Sequence, residues 1–398
     1  MSREFLSYFT FDNKKCICEI EKIADNNKNC LIDKLDIKKI ENEQIPMAYF
    51  YGEGLKLANK EKTSKNNILG EFLGIKKDDL KTYKSFFEKY GFLFNIENCH
   101  FNTITVNKIN YLKDNLLAFV YLLNNQFDSY LYYTQDNIKK LLDATLYILF
   151  RNDYELTMDE KTVFNLEKNK IMKIIDNARF HNESSYNKKN KIVDGQILEY
   201  FEIKDCLLDN CYNDINVEDF NEYIDGDYPQ WFINLCRVYK NKNQLIENSK
   251  YHIIIDFLFH LTTEHSMFLP NNISLDGTFK EELYNEINKD SKLLKALIKI
   301  SKLILEYEFR NNLSKVTPTF NVEEMKPDWK LPSLYSALYF SLFYMNSKEE
   351  NLRKCANPNC GQYFQVSKTN SIKKYCSILC TNSVSQRKYQ KKQALKKK

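Results

Sequence analysis

Two cysteine pairs near the C-terminus constrain this chain more than any other feature. Four residues separate Cys355 from Cys360, three separate Cys376 from Cys380, and fifteen lie between the pairs. Closely spaced pairs at such a distance are the arrangement of a tetrahedral zinc site, each pair giving two thiolates from a tight turn. Four thiolates fill the tetrahedron and leave no position for water, so the expected ion is one structural Zn2+. A segment this short buries too little apolar surface to fold alone, and the metal would supply much of its folding free energy.

The residues around the ligands predict a local layout. Asn357, Pro358 and Asn359 are turn formers inside the first pair, and Gly361 follows the second ligand. Tyr363 to Val366 reads as a short strand, and residues 367–374 as a hairpin tip and its return. Ser377 would cap a helix that carries Cys380 in its first turn, where the helix dipole favours thiolate. Knuckle, hairpin and helix in that order predict a small treble-clef-like zinc module.

The run Arg353-Lys-Cys-Ala-Asn-Pro-Asn-Cys-Gly-Gln-Tyr-Phe, followed by Tyr375-Cys-Ser-Ile-Leu-Cys-Thr-Asn-Ser, resembles the CGNR-type zinc finger of bacterial proteins. There are two departures. The last pair has three intervening residues where that family has four, and Thr381-Asn382-Ser383 stands where the family has Gly-Asn-Arg. The resemblance covers about fifty residues. It implies metal ligation by all four cysteines and a nucleic-acid-binding, regulator-like role. Phe86 to Leu93 and residues 333–346 are similar to segments upstream of such fingers.

Charge is distributed unevenly. Residues 351–398 hold 12 Lys and Arg and no Asp or Glu, which leaves 46 basic against 53 acidic residues in the first 350. An acidic body with a strongly basic end points to a polyanion partner, DNA or RNA. Zinc with four thiolates offsets about two of those positive charges. The helix after Cys380 places Arg387, Lys388, Tyr389, Lys391 and Lys392 within about two turns, as candidate nucleic-acid contacts. The plainer alternative is a solvating lysine tail.

Eleven cysteines without a leader-like N-terminus predict a reducing, cytoplasmic setting. No apolar run is long enough to span a bilayer, residues 116–123 included. Cys206 and Cys211 copy the spacing of the first pair but have no second pair nearby, so they read as core or surface thiols. Cys16 and Cys18 would share one face of a strand.

Nine Gly and seven Pro in 398 residues, with long apolar periodicities, predict a mainly α body with minor β, an α+β chain ending in the zinc module. Helices are expected over residues 106–124, from a Thr134 cap to about 151, over 244–267, over 279–311 and over 333–346. The last is apolar nearly all round (Leu334, Leu338, Phe340, Leu342, Phe343), which predicts burial and an anchor for the module. Ile192-Val193, Asp194-Gly195 and residues 197–203 predict a hairpin with an Asp-Gly turn. Residues 317–322 are either strand or linker, and residues 1–60 give only short mixed segments. The expected division is 1–104 mixed, 105–347 mainly helical and 348–398 zinc module.

Catalytic motifs are scarce. His181-Asn182-Glu183 has the His-x-Glu of zinc deaminases but lacks the partner Pro-Cys-x-x-Cys. His260 and His265 are five apart, and no His-Glu-x-x-His occurs, so both read as satisfied or surface histidines. Arg151-Asn152 and Arg310-Asn311 lack the following His of helical ribonucleases. No Walker loop, Gly-rich fingerprint or nucleophile elbow is present. The leading expectation is a regulator whose helical body senses a ligand or partner and delivers the finger to nucleic acid. The alternatives are an interaction or structural protein with a zinc cap, and a phage-defence-type effector whose active site the sequence does not reveal.

Overall fold

The longest strands lie where the sequence is least decisive. β1 (Ser7–Asp25) and β2 (Cys30–Phe50) form one antiparallel hairpin of 19 and 21 residues. β3 (Gly54–Leu57) and β4 (Thr103–Thr105) each pair with β2. A register shift between Lys14 and Cys16 reverses which side of β1 faces inward. Phe9 and Phe11 before it, and Cys16 and Cys18 after it, are therefore all buried, beside Leu35, Ile37, Met47 and Tyr49 of β2. The two thiols share a face as expected, with sulfurs 3.7 Å apart. The opposite face carries ion pairs, among them Lys15–Glu43 (2.9 Å) and Lys38–Glu21 (2.6 Å).

This computed structural model describes the chain except residues 1–6, 26–29, 59–66, 97–102, 128–132, 159–160, 179–187, 194, 203–213, 217–221, 224–225, 266–272, 276, 278, 323–324, 346, 371 and 397–398. His181 to Glu183, Asp194, Cys206 and Cys211 fall outside the described residues, as does the side chain of His265. The class is mixed α+β, with more strand than the minor β expected. The chain divides into two compact units, each discontinuous in sequence. One comprises Met1–Gln126, Glu155–Asn165 and Tyr307–Lys398, and the other Phe127–Tyr154 and Leu166–Glu306.

In the first unit, the helix Leu80–Tyr90 packs on β1: Asn13 Nδ2 donates to the carbonyls of Tyr90 (2.8 Å) and Phe92 (3.0 Å), closing the helix end. The helix Val106–Asn124 lies over residues 106–124 as its periodicity predicts, with Ile109, Leu112, Leu116 and Phe119 fully buried. The buried Lys113 donates to the carbonyl of Ile75 at 2.6 Å, and burial pulls its ammonium below the usual lysine range. Ser333 caps the helix Leu334–Tyr344 through the Ser336 amide, and Tyr335 Oη donates to the carbonyl of Leu112 at 3.0 Å. Leu334, Leu338, Phe340 and Leu342 are buried as expected. Phe343 is not: it is 55% exposed and lies between the rings of Phe309 and Phe340. Of the segment 317–322, Thr317–Asn321 is strand, paired to Lys326–Lys330.

In the second unit, Thr134 and Asn137 form a capping box on the helix Gln135–Phe150. Tyr284 Oη donates to the buried Asp143 at 2.8 Å and joins that helix to Glu281–Lys289. The single helix expected over 279–311 is two, Glu281–Lys289 and Ser291–Asn312. Asp290 divides them: its amide closes the first, and its Oδ1 accepts from Lys292 N (2.8 Å) and Leu293 N (3.0 Å) to start the second. His252–His265 covers most of the expected 244–267 helix, with Ile254, Phe257, Leu258 and Leu261 buried. His260 is a satisfied core histidine, 3.1 Å from Tyr239 Oη. The expected hairpin strands are present as Lys188–Val193 paired with Gln196–Glu202, and Asp214–Asn216 adds a third strand.

Candidate metal centre

The first cysteine pair sits at the tip of a hairpin. The strands Glu350–Lys354 and Tyr363–Ser367 pair antiparallel with Lys354 opposite Tyr363. In the loop between them the Asn357 carbonyl accepts from Cys360 N (2.9 Å) and Gly361 N (3.3 Å), and Cys355 N donates to the Gln362 carbonyl at 2.8 Å. Gly361 has φ +67, a conformation open to glycine without steric cost. These bonds turn both sulfurs to one side of the loop.

The second pair reaches them by a route that differs from the expected one. Residues 367–374 do not return as a strand against Tyr363 to Val366. That strand pairs instead with residues preceding the first ligand. The chain comes back beside the knuckle through two backbone acceptors: the Lys374 carbonyl takes a bond from Ala356 N (2.9 Å), and the Lys373 carbonyl one from Arg353 (2.9 Å). Ser377 Oγ then accepts from Cys380 N at 3.3 Å, at the start of the helix Ile378–Lys396.

The result is a cluster in which the four sulfurs of Cys355, Cys360, Cys376 and Cys380 all lie within 4.8 Å of one another. Cys360 and Cys376 are 3.6 Å apart, and Cys376 and Cys380 3.5 Å. Zn–S bonds of about 2.3 Å would hold tetrahedral sulfurs about 3.8 Å apart, so this soft donor set fits such an ion. Phe364 and Val366 pack against Cys355 beneath the cluster, and Lys373 Nζ lies 5.4 Å from the Phe364 ring centre. Among the described residues no second group of His, Cys, Asp or Glu with metal-holding geometry occurs.

Burial pushes the thiols of Cys360 and Cys376 up. Burial acts the same way on Cys380, but hydrogen bonds from Asn357, Cys376, Ser377 and Cys360 outweigh it and bring this thiol down to about 7. Cys380 is therefore more readily ionised near neutral pH than Cys360 or Cys376.

The helix Ile378–Lys396 rests on the knuckle by one stripe. Cys380, Ser383, Val384 and Arg387 are half-buried, at the i, i+3, i+4, i+7 spacing of one helical face. Lys388 and Tyr389 face solvent, Tyr389 being 64% exposed, and so do Ile378 and Leu379 at the helix start. Lys391 and Lys392 continue the helix, and their side chains lie outside the described residues. Arg387, the remaining candidate contact, is turned toward the metal centre: its guanidinium donates to Asn357 Oδ1 and, at 3.3 Å, to both the carbonyl and Oγ of Ser383.

The hairpin is built into the first unit rather than tethered to it by the preceding helix alone. Asn124 pairs with Leu352, and Lys368 Nζ donates to the Gln126 carbonyl at 3.3 Å. Gly70 and Gly74 let the strand Tyr363–Ser367 and residue Gln362 approach so closely that a Cβ at either glycine would overlap their backbone. No helix among the described residues is long and apolar enough to cross a membrane.

No family model, curated protein or solved structure matches this chain. The clustering of the four cysteines was legible from spacing. Asn357 was legible only as a turn former; that its buried side chain links a ligand to a residue thirty positions on depends on tertiary placement.

Proposed function

We propose that residues 348–398 are a structural zinc finger of treble-clef-like layout, similar to CGNR-type fingers, that presents its basic helix to the phosphates of DNA or RNA. The observation that carries this reading is the seating of the Ile378–Lys396 helix. It is held by a single stripe, and Lys388 and Tyr389 project outward from a segment with 12 basic and no acidic residues. A cationic surface with an exposed aromatic suits a polyanion whose bases offer stacking faces. Four thiolates leave no open coordination position, so the ion's role is to fold the finger. The body would then act as the sensing or partner-binding part of a regulator. Isolation of the protein from its native cell, with and without nuclease treatment, tests this: nucleic acid should co-purify only without nuclease. Its absence from both samples would count against the reading.

A second reading has an observation in its favour. Ile372, Ile378 and Leu379 are 85%, 79% and 80% exposed beside the metal centre. Exposed branched side chains at that density suit contact with a protein partner. In that case the finger is an interaction module and the lysines only solvate it.

A further inference from the structure

Asn357 and Arg387 play no part in direct metal ligation, and the nucleic-acid reading uses Arg387 only as an outward cation. Their geometry is different. Asn357 is 5% exposed, and its carbonyl and Oδ1 each accept two hydrogen bonds. Its carbonyl holds the amides of Cys360 and Gly361. Its Oδ1 accepts from Asn359 N at 3.2 Å and from Arg387. Two N–H donors on that atom identify it as the oxygen. Arg387 comes from the exposed helix two turns beyond the last ligand, and Ser383 one turn back steadies its guanidinium.

We propose that Asn357 and Arg387 are positioning residues that couple the metal centre to the basic helix, so that metal binding fixes where that helix points. The contacts run in one line: the turn that carries Cys360, the carboxamide of Asn357, the guanidinium of Arg387, helix. Two physical effects act along it. The Asn357 carbonyl and carboxamide hold the turn that carries the Cys360 sulfur, and the guanidinium places one positive charge beside a centre that would carry about −2 with zinc bound. In return the helix, whose other faces meet solvent, gains a polar tie to the knuckle next to its covalent link at Cys380.

This inference rests on the metal reading and is independent of whether the helix binds nucleic acid. Its test uses the full-length chain with zinc alone as ligand. Zinc affinity is measured by competition with a metallochromic chelator, and the orientation of the helix by amide hydrogen exchange over residues 378–390. Asn357→Ala and Arg387→Gln should each weaken zinc binding by about 10- to 100-fold, the range for loss of an outer-shell contact. The double variant should be little worse than the weaker single one, because both break the same line. Exchange along the helix should quicken in the zinc-loaded variants. Lys374→Gln removes an equal charge from an exposed side chain near the second pair and should leave affinity within twofold of the parent. Affinities within twofold of the parent for both Asn357→Ala and Arg387→Gln would overturn the coupling, as would an equal loss in Lys374→Gln. A parent chain that binds no metal would overturn the metal reading itself.

Discussion

The side chain of Asn124, the last residue of the helix Val106–Asn124, pairs with both backbone polar groups of Leu352. Nδ2 donates to the carbonyl at 2.7 Å, and Oδ1 accepts from the amide at 3.1 Å. A carboxamide here stands in for one residue of a neighbouring strand and closes the open edge of the Glu350–Lys354 strand. The cysteine-bearing hairpin is thereby held by a residue 228 positions earlier in the chain.

Asn124→Ala leaves the Leu352 N–H and C=O without that partner and should lower stability by about 1–3 kcal/mol. Asn124→Asp should cost at least as much although it is nearly isosteric, because a carboxylate cannot donate and would face the Leu352 carbonyl. Urea unfolding measures both. An unchanged midpoint in Asn124→Asp would mean that the pairing contributes nothing.

Purified protein should contain about one zinc per chain, and Cys360→Ser should lose it. Because the hairpin is fastened by Asn124, Lys368 and the close approach at Gly70, metal loss should be felt beyond the finger. Chelation is expected to lower the melting temperature of the first unit as well as unfold the knuckle. Stoichiometric zinc in Cys360→Ser, by elemental analysis, would contradict the four-cysteine site.

Leu338 and Phe343 lie on the same short helix and should respond to very different degrees. Leu338 is fully buried, so Leu338→Asp places an unpaired charge in the core and should cost more than about 4 kcal/mol. Phe343 is half exposed and contributes mainly its ring contacts with Phe309 and Phe340, so Phe343→Asp should cost only about 1 kcal/mol. Equal thermal shifts for the two would contradict the rotation of this helix.

If the finger binds nucleic acid, affinity should fall steeply with salt. Lys388→Gln should reduce the slope of log K against log salt by about 0.9 on duplex DNA, the value for one phosphate contact. Tyr389→Ala should leave that slope unchanged and weaken single-strand binding by about 1–3 kcal/mol, the value of one stacked base. Filter binding or fluorescence anisotropy over a salt series separates the two effects. A chain that shows no salt-dependent binding at low ionic strength would leave the protein-interaction reading in place.

Sequence alone determined the features whose signal is local. The four-cysteine cluster follows from cysteine spacing, and Ser377 as helix start from its place one residue after Cys376. The helices Val106–Asn124 and Gln135–Phe150 follow from apolar repeats that keep one phase along their whole length. Tertiary structure decided whatever depends on a phase change or a distant partner. The β1–β2 hairpin was illegible because its bulge near Cys16 shifts the inward face from odd to even positions, so neither half shows a sustained alternation. The break at Asp290 left a cap residue visible, but the apolar stripe runs through it on both sides. Phe343 and Phe340 are equally apolar in sequence, and only neighbouring elements determine which one is covered. Arg387 reads as one more exposed cation in a basic helix, and its role is set by Asn357, which the fold of the knuckle brings to it.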